Sequence, residues 1–394
     1  MKATAATRSL NRWDQSIAVA GMVLAMALTM ALAGCSAPRE LVKPTPLTEI
    51  SNDHPPRVIW SKPSGGEQKS SLIAIAPIED DGRLFVAGPG GEVIAYALDS
   101  GNRLWSKSLD ADLSTGGGAG DGLVVFGADD GRVFALEAET GALRWETSIR
   151  SSVDAAPSVG FGDVALRGRD GTLAVLDAES GELRWRQSRS QPPLTLQGQG
   201  RVLMFPDALV AGFDDGTLAA YAREDGQEVW SQTVAVPTGR TDVDRMVDID
   251  GTPMFAEGVF YAASYQGKLV ALAAQGGREL WSRNFSNTNS IATDANALYL
   301  SDADSVVWAI DRRSGDALWR QADLAHRGLT GPALINGYLV VGDHEGYLHV
   351  LSANSGALVG RAAWRAPLID PILHVDGRGV AVTRDGKVRV FTLD

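Results

Sequence analysis

Glycine and tryptophan recur 14 residues apart along most of this chain, which also holds 44 glycines against 7% aromatic residues. Together these predict an all-β fold, an eight-bladed β-propeller of four-stranded blades. Five copies carry the spacing in full: Gly91 to Trp105, Gly131 to Trp145, Gly171 to Trp185, Gly216 to Trp230 and Gly267 to Trp281. A sixth has Ser305 at the glycine place before Trp319, a seventh ends in Gly360 where tryptophan is expected, and an eighth starts at Gly386, too late to reach one. A fixed period marks architectures in which each unit buries its faces only against its neighbours. The 338 residues from Arg57 to Asp394 divide into eight units of about 42, the length of a four-stranded blade.

Before the repeats comes an address. Lys2, Arg8 and Arg12 precede an uncharged apolar run over 17–32, the n-region and h-region of a secretory signal, too short for a membrane span. The run ends in Leu32-Ala33-Gly34-Cys35, which resembles the bacterial lipoprotein box. That resemblance implies cleavage of residues 1–34, acylation of Cys35 and stable anchoring by several acyl chains. Ser36, not aspartate, follows the cysteine, and the resemblance then implies sorting to the outer membrane, facing the periplasm. Cys35 is the only cysteine, so no intramolecular disulfide and no multi-cysteine metal site is possible. Losing residues 1–34 would take the formal charge from -12 to -14, the wrong sign for a nucleic-acid partner.

Residues 35–56 contain Pro38, Pro44, Pro46, Pro55 and Pro56 and no apolar periodicity, so they are expected to form an extended, lipidated leash. The propeller is expected over 57–394. In each repeat an Asp-Gly pair precedes an alternating run such as Val133 to Leu136, a hairpin signal because glycine takes the positive φ of tight turns. A second turn and a tryptophan-bearing strand follow, with two short β-rich runs upstream, giving four strands per repeat. The last repeat lacks its outer strand, while Arg57 to Lys62 supplies an orphan one carrying Trp60. Pairing the two removes exposed sheet edges and closes the ring.

Candidates for chemistry are few. Of five histidines, only His344 and His349 lie near each other; they would face opposite sides of a strand, so they read as surface or turn residues, not a metal pair. Asp242, Asp244, Asp248 and Asp250 could catch a hard cation but miss the EF-hand spacing. The 116–122 glycine cluster lacks a phosphate-loop pattern, and no G-x-S-x-G is present. The run Ala174 to Trp185, and nearly so Ala309 to Trp319, resembles the tryptophan-docking repeat of pyrroloquinoline quinone dehydrogenases. That family implies a quinone and calcium, yet its vicinal disulfide is impossible with one cysteine. The chain is therefore read as a non-enzyme without cofactor, a periplasmic quinoprotein being the alternative.

Loop lengths locate the unusual surface. From tryptophan to the next blade's glycine the distance is 26 residues twice, then 31 for 185 to 216 and 37 for 230 to 267. Insertions on a rigid repeat scaffold are where binding residues gather. The second insertion, Thr238 to Pro253, reads T-G-R-T-D-V-D-R-M-V-D-I-D-G-T-P. With the signal and the repeats, this run resembles the BamB family of outer-membrane lipoproteins in the β-barrel assembly machinery, over the whole chain. In the first insertion Leu194, Leu196 and Gly198 match the family, whereas Gln197 stands where arginine is expected. The resemblance implies that Leu194, Leu196, Asp248 and Asp250 contact the POTRA domains of the barrel-inserting subunit. Gln197 would weaken an ion pair there. Unfolded outer membrane proteins, adding strands to blade edges, are a further expected partner.

Overall fold

Eight antiparallel sheets of four strands follow one another along the chain. The computed structural model describes residues 42–69, 74–195, 200–238, 240–287 and 289–393; the signal, Cys35, Leu196 and Gln197 lie outside them. Seven blades use consecutive strands, as in blade 1 with Ile78–Asp80, Arg83–Ala87, Glu92–Ala97 and Arg103–Ser108 from the inner edge outward. In blade 8 the outermost strand is Arg57–Pro63, paired with Lys387–Thr392 in the register Arg57↔Thr392 and Trp60↔Val390. The expected eight-bladed ring and its closure by the N-terminal strand are both present.

Antiparallel order fixes two faces. The turn between the second and third strands lies beside the connection to the next blade, as Leu109 N–H to Gly91 C=O (2.9 Å) and Val234 N–H to Gly216 C=O (2.8 Å) show. We call this the connection face. The other two turns of each blade lie on the opposite face.

The core is divided among the seams. Eight apolar clusters each combine residues of neighbouring blades, for example Phe85, Val93, Val124 and Phe134 between blades 1 and 2. The register slips by one residue just before each outer-strand tryptophan, as at Ala95/Tyr96 opposite Trp105; such a bulge re-aims the side chain. Each indole then lies on a turn glycine of the next blade. Trp60 faces Gly101, where an added Cβ would sit 2.8 Å from the ring, and Trp319 faces Gly356 at 2.6 Å. These glycines also hold φ near +70° (+66° at Gly101 and +72° at Gly356), so their lack of a side chain serves both turn and packing. At six of these seams the indole N–H also bonds a carbonyl of the next blade, as with Trp60 to Leu98 (2.8 Å) and Trp281 to Arg312 (2.9 Å).

The two irregular repeats have physical causes. Ser305 takes the glycine place at φ +65°, and its hydroxyl accepts from Gly328 N–H at 2.9 Å, bracing the following connection. Gly360 has no room for a side chain, because a Cβ there would lie 2.0 Å from the His54 carbonyl oxygen. That contact corrects one expectation. Far from continuing as a leash to Pro56, the chain is packed against the ring from Thr45 onward: Thr45 N–H bonds Ala325 C=O and His54 N–H bonds Val359 C=O, each at 3.0 Å. Pro44–Asp394 accordingly form one compact unit. Prolines and missing periodicity suggested a free segment, but this packing uses backbone groups and single side chains that leave no pattern.

Candidate partner-binding site

The two long connections leave blades 3 and 4 on the connection face, after the strands Leu183–Ser188 and Glu228–Thr233. They meet at their far ends. Arg201 N–H donates to Thr252 Oγ1 at 3.0 Å, and a Cβ on Gly200 would lie 3.0 Å from the Asp250 carbonyl oxygen. Beneath them, Arg167 and Asp214 form a buried ion pair at 2.9 Å, and the Arg167 guanidinium also reaches Gly200 C=O at 3.4 Å. The Gln191 side-chain amide lies 2.9 Å from both Asp214 Oδ2 and Gly171 N, and these neighbours assign its NH2 to the carboxylate and its oxygen to the Gly171 N–H. Arg201 donates to Gly117 C=O at the inner edge of blade 2 (2.6 Å), and burial lowers its pKa to about 10.

The site residues separate by depth. Leu194 is 41% exposed, an apolar side chain held out to solvent. Asp248 and Asp250, expected at the partner surface, are buried at 0% and 7% exposure, and Met246, Val247 and Ile249 between and before them are buried too. Ile249 packs on Gly212, its N–H bonding Phe213 C=O at 3.3 Å, and Asp248 C=O accepts from Tyr265 N–H at 2.9 Å. The second connection is thus pinned along 246–250. Burial drives the Asp250 carboxyl well above the usual carboxylate range, and the charges of Asp248 and Asp214 push the same way while Arg167 opposes. Its Oδ1 is buried without a hydrogen-bond partner among the described residues.

Sequence reasoning missed the exposed tip of that connection. Val236 is 67% and Val243 52% exposed, the latter opening a 3-10 turn, Val243–Arg245. The signal was two valines in a polar loop. Asp242 is exposed at this tip whereas Asp248 and Asp250 are buried, and no cluster able to hold a metal ion occurs among the described residues. His349, expected at a surface or turn, is fully buried beside Asp343 (Nε2 to Oδ2, 3.0 Å), whereas His344 is exposed.

Comparison with known proteins agrees with this architecture. A family profile described as outer membrane protein assembly factor BamB matches residues 54–115, 89–321 and 303–394. BamB of Alkalilimnicola ehrlichii is 45% identical, covering 91% of this chain and 96% of the relative. BamB of Escherichia coli is 36% identical over 92% and 96% of the two chains. The crystal structure of BamB from Moraxella catarrhalis superposes with a TM-score of 0.79 at 29% identity, covering 86% of this chain and 99% of that one. Quinohemoprotein alcohol dehydrogenase from Comamonas testosteroni reaches 0.66 at 15% identity, over 86% and 76%, a likeness of fold alone. Both of these relatives are named as assembly factors, and the chain belongs to the BamB family of outer membrane protein assembly factors.

Proposed function

We propose that the protein is a lipid-anchored scaffold of the outer-membrane β-barrel assembly machinery, held by acylated Cys35 on the periplasmic side of the outer membrane. It grips the POTRA domains of the barrel-inserting subunit with its two long connections. The observation that carries this is Leu194, exposed on a connection whose base is fixed by the buried Arg167–Asp214 pair. Leu194 and Leu196 alternate with Thr195, a spacing that would let both enter one apolar groove, each burial contributing about 1.5–3 kcal/mol. Gln197 offers no bidentate charge, so binding should depend weakly on salt. Asp248 and Asp250 act from beneath, shaping the second connection that lies beside the first. Outer strands such as Arg103–Ser108 keep one edge unpaired, and unfolded barrel substrates would add to such edges by backbone pairing. The test is Leu194→Ala with Leu196→Ala: the POTRA-bearing subunit should no longer co-purify, while the melting temperature stays near wild type.

A further inference from the structure

The seam between blades 7 and 8 lacks the outer-strand tryptophan of the other seams; Trp364, just beyond that strand, packs edge-on to Phe391 there, and the His54 backbone lies against Gly360 at the vacant position. From the connection face, where Thr45 C=O accepts from Arg327 Nη1 (2.9 Å), the N-terminal segment passes the outer strand Leu358–Ala363 of blade 7. There Arg361 Nη1 donates to Thr48 C=O at 2.9 Å and Arg361 N–H to Asn52 Oδ1 at 2.6 Å. It ends toward the opposite face, where the His54 ring lies tilted by 37° against that of Tyr338 with centroids 4.4 Å apart and Nε2 lies 2.9 Å from the phenol oxygen. Leu47 enters the apolar cluster between blades 6 and 7. We propose that residues 45–54 are a strap that fixes where the N-terminal tether leaves the propeller, on the connection face between blades 6 and 7.

The ring is built to receive it. Gly360 leaves the space that the His54 backbone fills, and both arginines are held from behind. Arg327 Nε donates to Asp343 Oδ2 at 2.8 Å, the same oxygen that His349 Nε2 meets at 3.0 Å, and Arg361 Nε donates to His349 Nδ1 at 3.2 Å. His349 accepts at one nitrogen and donates at the other, so it is neutral, as its burial also favours. A buried aspartate and histidine thereby aim two guanidiniums at strap carbonyls. The tether then leaves on the same face that carries Leu194, Val236 and Val243, so membrane attachment and partner grip would constrain one face of the scaffold. This consequence rests on the proposed anchoring at Cys35; the strap itself does not.

Amide exchange on the full-length, membrane-extracted protein tests it. Thr45 and His54 amides should exchange at least tenfold more slowly than in an unstructured peptide. Leu47→Asp with His54→Ala should return them to the unstructured rate, while the blade strands stay protected. Gly360→Ala, which changes no strap residue, should speed exchange at His54 as well. A short bismaleimide should link Pro44→Cys to His344→Cys on the connection face and not to Asn336→Cys on the opposite face, each compared with Pro44→Cys alone. Unprotected strap amides in the wild type, or equal linking to both faces, would overturn the proposal. A soluble wild-type protein would remove the anchor and leave the strap result standing.

Discussion

Replacing Trp60 by alanine tests whether the ring is closed by its own N-terminal strand. The indole is 9% exposed, donates to Leu98 C=O across the seam at 2.8 Å, and packs on Gly101 and Tyr96, the latter with ring centroids 6.0 Å apart. Truncating a buried tryptophan to alanine costs about 3–5 kcal/mol, which here includes stranding the Leu98 carbonyl. Trp60→Phe keeps most of the apolar contact and loses the N–H, so about 1–2 kcal/mol is expected. Leu318, 54% exposed on the outer strand of blade 6, provides the control: Leu318→Ala should stay within about 0.5 kcal/mol. Urea unfolding followed by far-ultraviolet circular dichroism gives all three values. Because a domain's total stability is only about 5–15 kcal/mol, Trp60→Ala should move the midpoint far to lower urea. A Trp60→Ala midpoint matching that of Leu318→Ala would mean that blade 8 closes without this strand, and the seam argument would fail.

Two further outcomes follow from the site. The folded-state pKa of Asp250 is raised, so ionising it costs stability: the penalty is absent below the ordinary carboxylate pKa and grows as pH rises through the folded value. Asp250→Asn should therefore hold or raise the urea midpoint at pH 7.5 and flatten its decline from pH 5 to 7.5; a loss above about 1 kcal/mol at pH 7.5 would show that the carboxylate is needed ionised. Val236→Ser with Val243→Ser should leave unfolding unchanged, since both side chains face solvent, while reducing capture of the POTRA-bearing subunit in pull-downs; undiminished capture would take the tip out of the interface.

The ring was legible because its determinants are local. A glycine and a tryptophan 14 residues apart encode both a turn and the indole of one seam, and Trp60 could be placed by counting vacancies. The vacancy at Gly360 was equally visible, but its cause was not, since the His54 backbone that fills it comes from the other end of the chain. Thr45 and Thr48 are held through their carbonyl oxygens, which every residue possesses, so the prolines and the missing apolar periodicity of that segment point to a leash. At the site, the alternation of Asp248 and Asp250 showed that they share a side, while loop length located the connection. Which side faces inward is decided by Ile249 seating on Gly212 of the neighbouring strand. His349 was obscured in the same way, since its partner Asp343 lies in a turn that only the folded hairpin brings against it.

The claim that this scaffold works through its first long connection is tested most directly by affinity purification of the Leu194→Ala, Leu196→Ala protein from membranes. The POTRA-bearing subunit is expected to disappear from the eluate, with the melting temperature unchanged and wild-type capture nearly insensitive to salt. Full recovery of that subunit with the double variant would contradict the account and move the grip elsewhere on the propeller.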